Sequence, residues 1–180
     1  PCAGGGGRGP ALDRWVLGAA CQRLAAWNRS LPAGPAVSVA VNLSAQQFLD
    51  PTLVDEVTRA LEMTSVDPSL LQLEITETAV MKNPELAASI VAQLRRLGIR
   101  IHIDDFGTGY SSFNHLLRLS VDSLKIDRSF TACIDSHREG LEIVRAIVTL
   151  GKNLGVRVIT EGIETERQHA TLQDLGCPSG

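Results

Sequence analysis

The residues best suited to chemistry stand where short apolar runs end. Ile99 to Ile103 stops at Asp104 and Asp105, and Val121 to Leu124 stops at Lys125. Two adjacent carboxylates repel by roughly 4 kcal/mol at about 4 Å and an effective dielectric near 20, so they need a cation, a shared proton or diverging side chains. The alternative is that Asp104 and Asp105 point to opposite faces and one of them only caps the next helix. Gly107, Thr108 and Gly109 follow, a loop that admits positive φ and exposes amides suited to an anionic ligand.

Three further runs end the same way. Ala36 to Leu43 carries Asn42 near its end, Leu70 to Glu77 carries Glu74 and Glu77, and Val156 to Thr160 runs into Glu161. Asn42 by itself reads as a turn residue. In the second run a period of two places Leu71, Leu73 and Ile75 on one face and Gln72, Glu74 and Thr76 on the other, with Glu77 beyond, near a loop. An acid inside such a strand is costly unless it is paired or bound to a metal. Five strands with polar or charged carboxyl ends form a pattern, since α/β folds place ligand sites at that rim. Carboxylate and amide oxygens with a lysine, and no well-placed Cys or His, point to Mg²⁺ or Mn²⁺ and not zinc. That set suits metal-assisted displacement at phosphorus.

The elements that must position these residues alternate along the chain. Residues 1–10 are Gly-rich and read as a flexible lead-in, and residues 11–180 as one domain. Leu12, Val16, Ala20, Leu24 and Trp27 recur at helical spacing and predict a core-facing stripe. Leu53, Val57 and Leu61 predict a second helix, and Leu86, Ile90, Leu94 and Leu97 a third, started at Asn83-Pro84 and ended by Gly98. Phe113, Leu116, Leu117 and Leu119 read as a short helix, residues 139–153 as a long one, and another helix ends at Leu175-Gly176. Helix, then strand and helix in alternation, predicts an α/β fold with a largely parallel sheet.

Composition narrows the partners. A net charge of -3 gives no basic footprint for extended nucleic acid. No apolar run approaches the roughly 20 residues of a membrane span, and the start has no signal-peptide core. Cys2, Cys21, Cys133 and Cys177 lie far apart without a paired motif, so they read as reduced thiols of a cytoplasmic chain. His102, His115, His137 and His169 share no spacing and read as structural or surface residues.

The segments V-N-L-S (41–44), L-E-I-T-E (73–77), I-D-D-F-G-T-G-Y-S-S (103–112), V-D-S-L-K-I-D-R-S-F (121–130), E-G-I-E-T (161–165) and L-G-C (175–177) closely resemble the EAL domain family of bacterial cyclic di-GMP phosphodiesterases. The resemblance runs from about Leu12 to the last residue. It implies a TIM-like (β/α)₈ barrel and hydrolysis of cyclic di-GMP to linear pGpG at a two-metal Mg²⁺ or Mn²⁺ site. Carried over by position, Asn42, Glu74 and Asp104 resemble the ligands of one metal and Asp105 a ligand of the second. Lys125 resembles the lysine that steadies water and phosphate, and Glu161 the general base or a ligand of the attacking water. Glu77 resembles the anchor of the Asp-Asp-Phe-Gly loop, which includes Gly107 and Thr108 and which in the family lies near a homodimer interface. Thr76, Ser111, Asp127 and Glu164 resemble supporting residues.

The sequence also departs from the family. A Glu-Ala-Leu motif, whose glutamate binds metal in the family, has no counterpart here, nor has the glutamine that usually follows L-G-C. About five strands where a barrel needs eight imply a partial EAL domain lacking its first and last strands, with poor metal affinity and at most trace turnover by these residues alone. The resemblance therefore leaves two functions open. One is a phosphodiesterase, accompanied by a GGDEF or sensory domain and on or off a membrane; the other is an inactive EAL domain that binds cyclic di-GMP or a protein partner.

Overall fold

The computed structural model describes residues 9–31, 35–109, 116, 118–134 and 138–177. Five strands form one sheet: β1 (Val39–Leu43), β2 (Leu71–Thr76), β3 (Arg100–Phe106), β4 (Ser123–Ile126) and β5 (Arg157–Thr160). Their order in space is their order in sequence, and every pair is parallel. Parallel neighbours require a crossover, and among the described residues helices lie in those after β1, β2 and β4. This stepwise βα progression is that of a TIM-like barrel, here an arc of five strands with β1 and β5 at its edges among the described residues.

The sheet separates two chemistries by its pleat. Leu71, Leu73 and Ile75, Ile101 and Ile103, and Leu124 and Ile126 are buried on the face that carries the helices. The registers Asn42 with Glu74 and Glu74 with His102 put polar residues in one layer of the opposite face. The next layer holds Thr76 opposite Asp104. Helices α3 (Leu53–Thr64), α5 (Pro84–Arg96) and α7 (Arg138–Leu154) cover the apolar face with Leu53 and Val57, Ile90 and Leu94, and Val144 and Val148. Asn83 starts α5 as expected: its carboxamide oxygen accepts from the Leu86 amide at 3.2 Å.

Helix α1 (Gly9–Ser30) corrects two expectations. It takes in Gly9 and Pro10, both assigned to the lead-in, and proline without an N–H suits a first helical turn. Its buried stripe is Leu17, Cys21 and Leu24, whereas Leu12, Val16 and Trp27 are exposed. Apolar residues lie almost all round this helix, so periodicity fits more than one face and contact with β1 and α3 selects one. In α5 the stripe is likewise shifted, with Ala87 and Val91 buried and Leu86 exposed.

Strand β1 is shorter than the expected 36–43 because pairing begins at Val39, opposite Leu71. Strand β3 is longer than 99–103; it continues through Asp104 and Asp105 to Phe106, with an irregular register between Ile103 and Phe106. The short helices α2 (Ala45–Phe48), α4 (Glu77–Lys82) and α6 (Arg128–Cys133) are too brief to leave a periodic signal. Of the helix expected at Phe113 to Leu119, Phe113 and Leu117 lie outside the described residues.

One close approach fixes how α7 lies on β5. A Cβ on Gly151 would stand 2.2 Å from Val158 Cγ2 and 3.0 Å from the Val156 carbonyl. Alanine is the better helix former by about 1 kcal/mol, but the clash with a stiff β-branched side chain outweighs it. Gly151→Ala is expected to lower the unfolding free energy by about 1–2 kcal/mol in urea denaturation. A more stable variant would show that the helix can retreat without loss.

Candidate active site

Lys125 is the centre of the site. Near the end of β4, its Nζ lies 2.9 Å from Glu74 Oε2 on β2, 3.5 Å from Asp104 Oδ1 on β3 and 2.6 Å from Glu161 Oε1 just after β5. Four neighbouring strands thus contribute one charged group each. The parallel register makes this possible, since strand ends align at one rim and alternate residues share a face. Lys125, Glu74 and Asp104 are mostly covered, with side-chain exposures of 12%, 10% and 16%, whereas Glu161 is 42% exposed. Burial pushes the Lys125 amine down, but hydrogen bonds to Glu161 and Glu74 and the charges of Glu74 and Asp104 outweigh it and hold the amine above its ordinary range.

The adjacent acids diverge. Asp104 faces Lys125 and accepts the Asp105 amide at 3.1 Å. Asp105 has φ +52°, a left-handed conformation that turns its carboxyl away. Its carboxyl lies close enough to that of Asp127 for the two to interact. Burial, and then the charges of Asp104 and Asp127, raise the Asp105 carboxyl above its ordinary value. Hydrogen bonds from the Ser129 hydroxyl and amide hold Asp127 below the usual range. Of the remedies open to two adjacent acids, the structure uses divergence, with a cation beside Asp104.

Glu77 closes the other side of the loop. It is the first residue of α4, is 1% exposed, and its Oε2 accepts the Gly107 amide at 2.8 Å. Gly107 needs φ +99° to present that amide, and a Cβ there would meet Phe130 and Ile147. A cavity of about 650 Å³ lies behind the loop, lined by Glu77, Phe106, Gly107, Ile143 and Ile147 among others; the carboxylates that meet Lys125 do not line it. Glu77→Ala is expected to cost about 2 kcal/mol of stability by leaving a buried amide without its acceptor. The Gly107 amide should exchange faster with solvent, and Glu77→Gln, which keeps an acceptor, should lose less. Unchanged exchange in Glu77→Ala would remove the anchoring role.

Asn42 is exposed and lies in register with Glu74. Thr76 caps α4 by accepting the Ala79 amide, and Asp127 caps α6 by accepting the Ser129 amide. The Thr108 hydroxyl donates to the Asp105 carbonyl at 2.8 Å. Glu164 is exposed, and its own amide donates to Gln168 Oε1 at 2.8 Å. Ser111 lies outside the described residues. Sequence reading did not single out Asp122, whose carboxylate accepts the Ile101 amide and pairs with Arg95, each at 2.8 Å. Its signals are its place as an acid inside the Val121–Leu124 run and within the motif of residues 121–130. His102 is buried in the layer beneath Asp104, and burial lowers its imidazole below the ordinary value.

The donor set is one for a hard cation. Glu74, Asp104 and Glu161 carry three carboxylates against one ammonium, so negative charge is left over for a divalent ion to balance, and all the donors are oxygen. Among the described residues no three or more His, Cys, Asp or Glu side chains already surround a common metal position; the ammonium occupies the middle of the acids. The chemistry of the set fits a hard divalent cation, and Lys125 is the internal counter-ion of the acids.

Residues 6–180 match the sequence pattern of the EAL domain. The chain is 44% identical over 169 residues to the Pseudomonas aeruginosa protein named bifunctional diguanylate cyclase/cyclic di-GMP phosphodiesterase MucR, covering 93% of this chain and 24% of that protein. It is 42% identical over 166 residues to cyclic di-GMP phosphodiesterase NbdA of the same organism, covering 92% of this chain and 21% of that one. The chain thus spans about a quarter or less of the length of these curated relatives. Among solved structures it aligns with PaMucR phosphodiesterase in its c-di-GMP complex at a TM-score of 0.88 and 42% identity, covering 93% of this chain and 67% of that one. It aligns with the EAL domain of Mycobacterium smegmatis DcpA at 0.86 and 38%, covering 93% and 75%. Among the described residues no helix is long and apolar enough to cross a membrane. Because the match runs through all five strands whose ends carry the rim residues, and not through one motif alone, the chain belongs to the EAL domain family.

Proposed function

We propose that this chain is part of the catalytic domain of a metal-dependent phosphodiesterase that hydrolyses cyclic di-GMP to linear pGpG by attack of water, with little turnover by these residues alone. The observation that carries the reading is the meeting of Glu74, Asp104 and Glu161 on Lys125 at the strand ends. Homology to proteins named cyclic di-GMP phosphodiesterases supports it. Asn42, Glu74 and Asp104 would hold one Mg²⁺ or Mn²⁺, and Asp105 the second, with Glu161 alongside. When bound, such ions acidify water and neutralise charge on the phosphoryl oxygens.

The protein's own groups have separable tasks. Lys125 offers an ammonium to a phosphoryl oxygen, where it is worth most in the transition state. Glu161, the most exposed of the rim acids, faces entering water and takes its proton. Glu77 holds Gly107, keeping the loop with Asp104, Asp105 and Thr108 over the rim, while Asp127 fixes Asp105. Thr76, Ser111 and Glu164 belong to the surroundings of the same site. A cytoplasmic location, whose reducing conditions suit a buried thiol such as Cys21, belongs to the same reading. Homodimerisation beside the Glu77-anchored loop, and control by a GGDEF or sensory domain, belong to the same proposal.

The test is hydrolysis of cyclic di-GMP by the intact protein with Mn²⁺, with pGpG followed by chromatography. Product should accumulate, stop on addition of EDTA and resume when Mn²⁺ is restored in excess. Tight binding of cyclic di-GMP without product, by protein shown to be folded, would replace the enzyme with a binding or protein-interaction module.

A further inference from the structure

One polar group of the barrel-facing layer has no role in this mechanism. His102 is 3% exposed, lies between Glu74 and Ser123 in register, and its Nδ1 is hydrogen-bonded to the fully buried Ser123 Oγ. Its Nε2 is buried and without a hydrogen-bond partner among the described residues. A buried ring nitrogen left so is costly to the fold. The two nitrogens of a neutral imidazole are linked, for one donates and the other accepts. Were Nδ1 to carry the proton, Nε2 would turn a lone pair toward a layer whose next member is a carboxylate, and the two would repel.

We propose that His102 is a positioning residue for Glu74. The Ser123 hydroxyl donates to Nδ1, which fixes the Nε2–H tautomer, and Nε2–H serves the Glu74 carboxylate through one buried water. Glu74 is thereby oriented from below while Lys125 holds it at 2.9 Å from above the layer. Ser123, His102 and Glu74 then form a chain of hydrogen bonds across three adjacent strands, with its open end at the rim.

The inference rests on Glu74 belonging to the metal site proposed above, so its test includes measurements that need no turnover. In ¹⁵N-histidine-labelled protein, two-bond proton–nitrogen correlations should show His102 with Nε2 protonated and Nδ1 bare. An Nδ1–H tautomer would overturn the proposal. Mn²⁺ titrations followed by electron paramagnetic resonance supply the second arm. His102→Leu should weaken Mn²⁺ binding by about 10–100-fold. His102→Gln, whose amide reaches the place of Nε2, should restore most of the affinity; His102→Asn, which reaches only to Nδ1, should not. Equal affinities in the folded Leu variant and wild type, or in the Gln and Asn variants, would overturn it. If the wild type binds no Mn²⁺, the metal-site reading fails, and the tautomer alone decides whether His102 faces Glu74.

Discussion

Asp104→Ala is expected to lower cyclic di-GMP hydrolysis by the intact protein at least about 10³-fold, which corresponds to about 4 kcal/mol of transition-state stabilisation. The carboxylate is placed to act on both the cation site and the ammonium, yet it contributes little to the fold. Its structural duties are one hydrogen bond from the Asp105 amide at 3.1 Å and a contact with Lys125 at 3.5 Å. Lys125 keeps Glu74 and Glu161 without it. Stability should therefore change by only about 1 kcal/mol, so lost rate and lost folding are separable. Asp104→Asn keeps an acceptor for the Asp105 amide and removes the charge; it should be as inactive as the alanine variant. Initial rates with Mn²⁺, beside denaturant titrations, check both halves. Turnover close to wild type would exclude Asp104 from the machinery.

Lys125→Met should reduce both rate and stability. Without the ammonium, Glu74, Asp104 and Glu161 face each other with no counter-charge. Breaking a fully buried ion pair costs about 3–5 kcal/mol, and partial exposure of this cluster lowers the expectation to about 2 kcal/mol. Loss of the donor to phosphate should lower turnover by about 10²–10³-fold. The destabilisation should depend on pH. In the variant the crowded acids resist ionisation, so its deficit against wild type should shrink as pH falls through the carboxylate range and they take up protons. In the wild type the amine is held above its ordinary value in the folded state. Its contribution is complete below the unfolded value of about pH 10 and is lost as pH rises past the folded one. Unfolding free energies of both proteins across that range check the sign. Divalent ions should stabilise the variant more than wild type, because they supply the charge that was removed.

The parts of the site differ in how far the sequence exposes them. Asp104, Lys125, Glu74 and Glu161 are legible because each interrupts or ends an apolar run, and charge in such a place has to be used or paired. Glu77 is legible as a motif residue but not as a buried one. Strand β2 stops at Thr76, whose hydroxyl caps α4, and the new helix swings Glu77 beneath the loop. His102 and Ser123 left no signal, since 21 residues separate them in the chain and only the β3–β4 register joins them. The stripe of α1 was misread for a related reason. Leu12 and Val16 are as apolar as Leu17, and only the packing partner distinguishes them.

Sequence alone determined the alternation of helices and strands and the presence of acids and a lysine at the strand ends, because periodicity and burial cost act within single segments. The EAL motifs added the family. Tertiary structure decided which groups meet. Asp104 turns to Lys125 while Asp105, at φ +52°, turns to Asp127, although the two are neighbours in the chain. That choice depends on the bulged end of β3, on the ammonium delivered by β4 and on the anchor that Glu77 gives the loop. These are contacts across strands, and no local preference of the two aspartates could have set them.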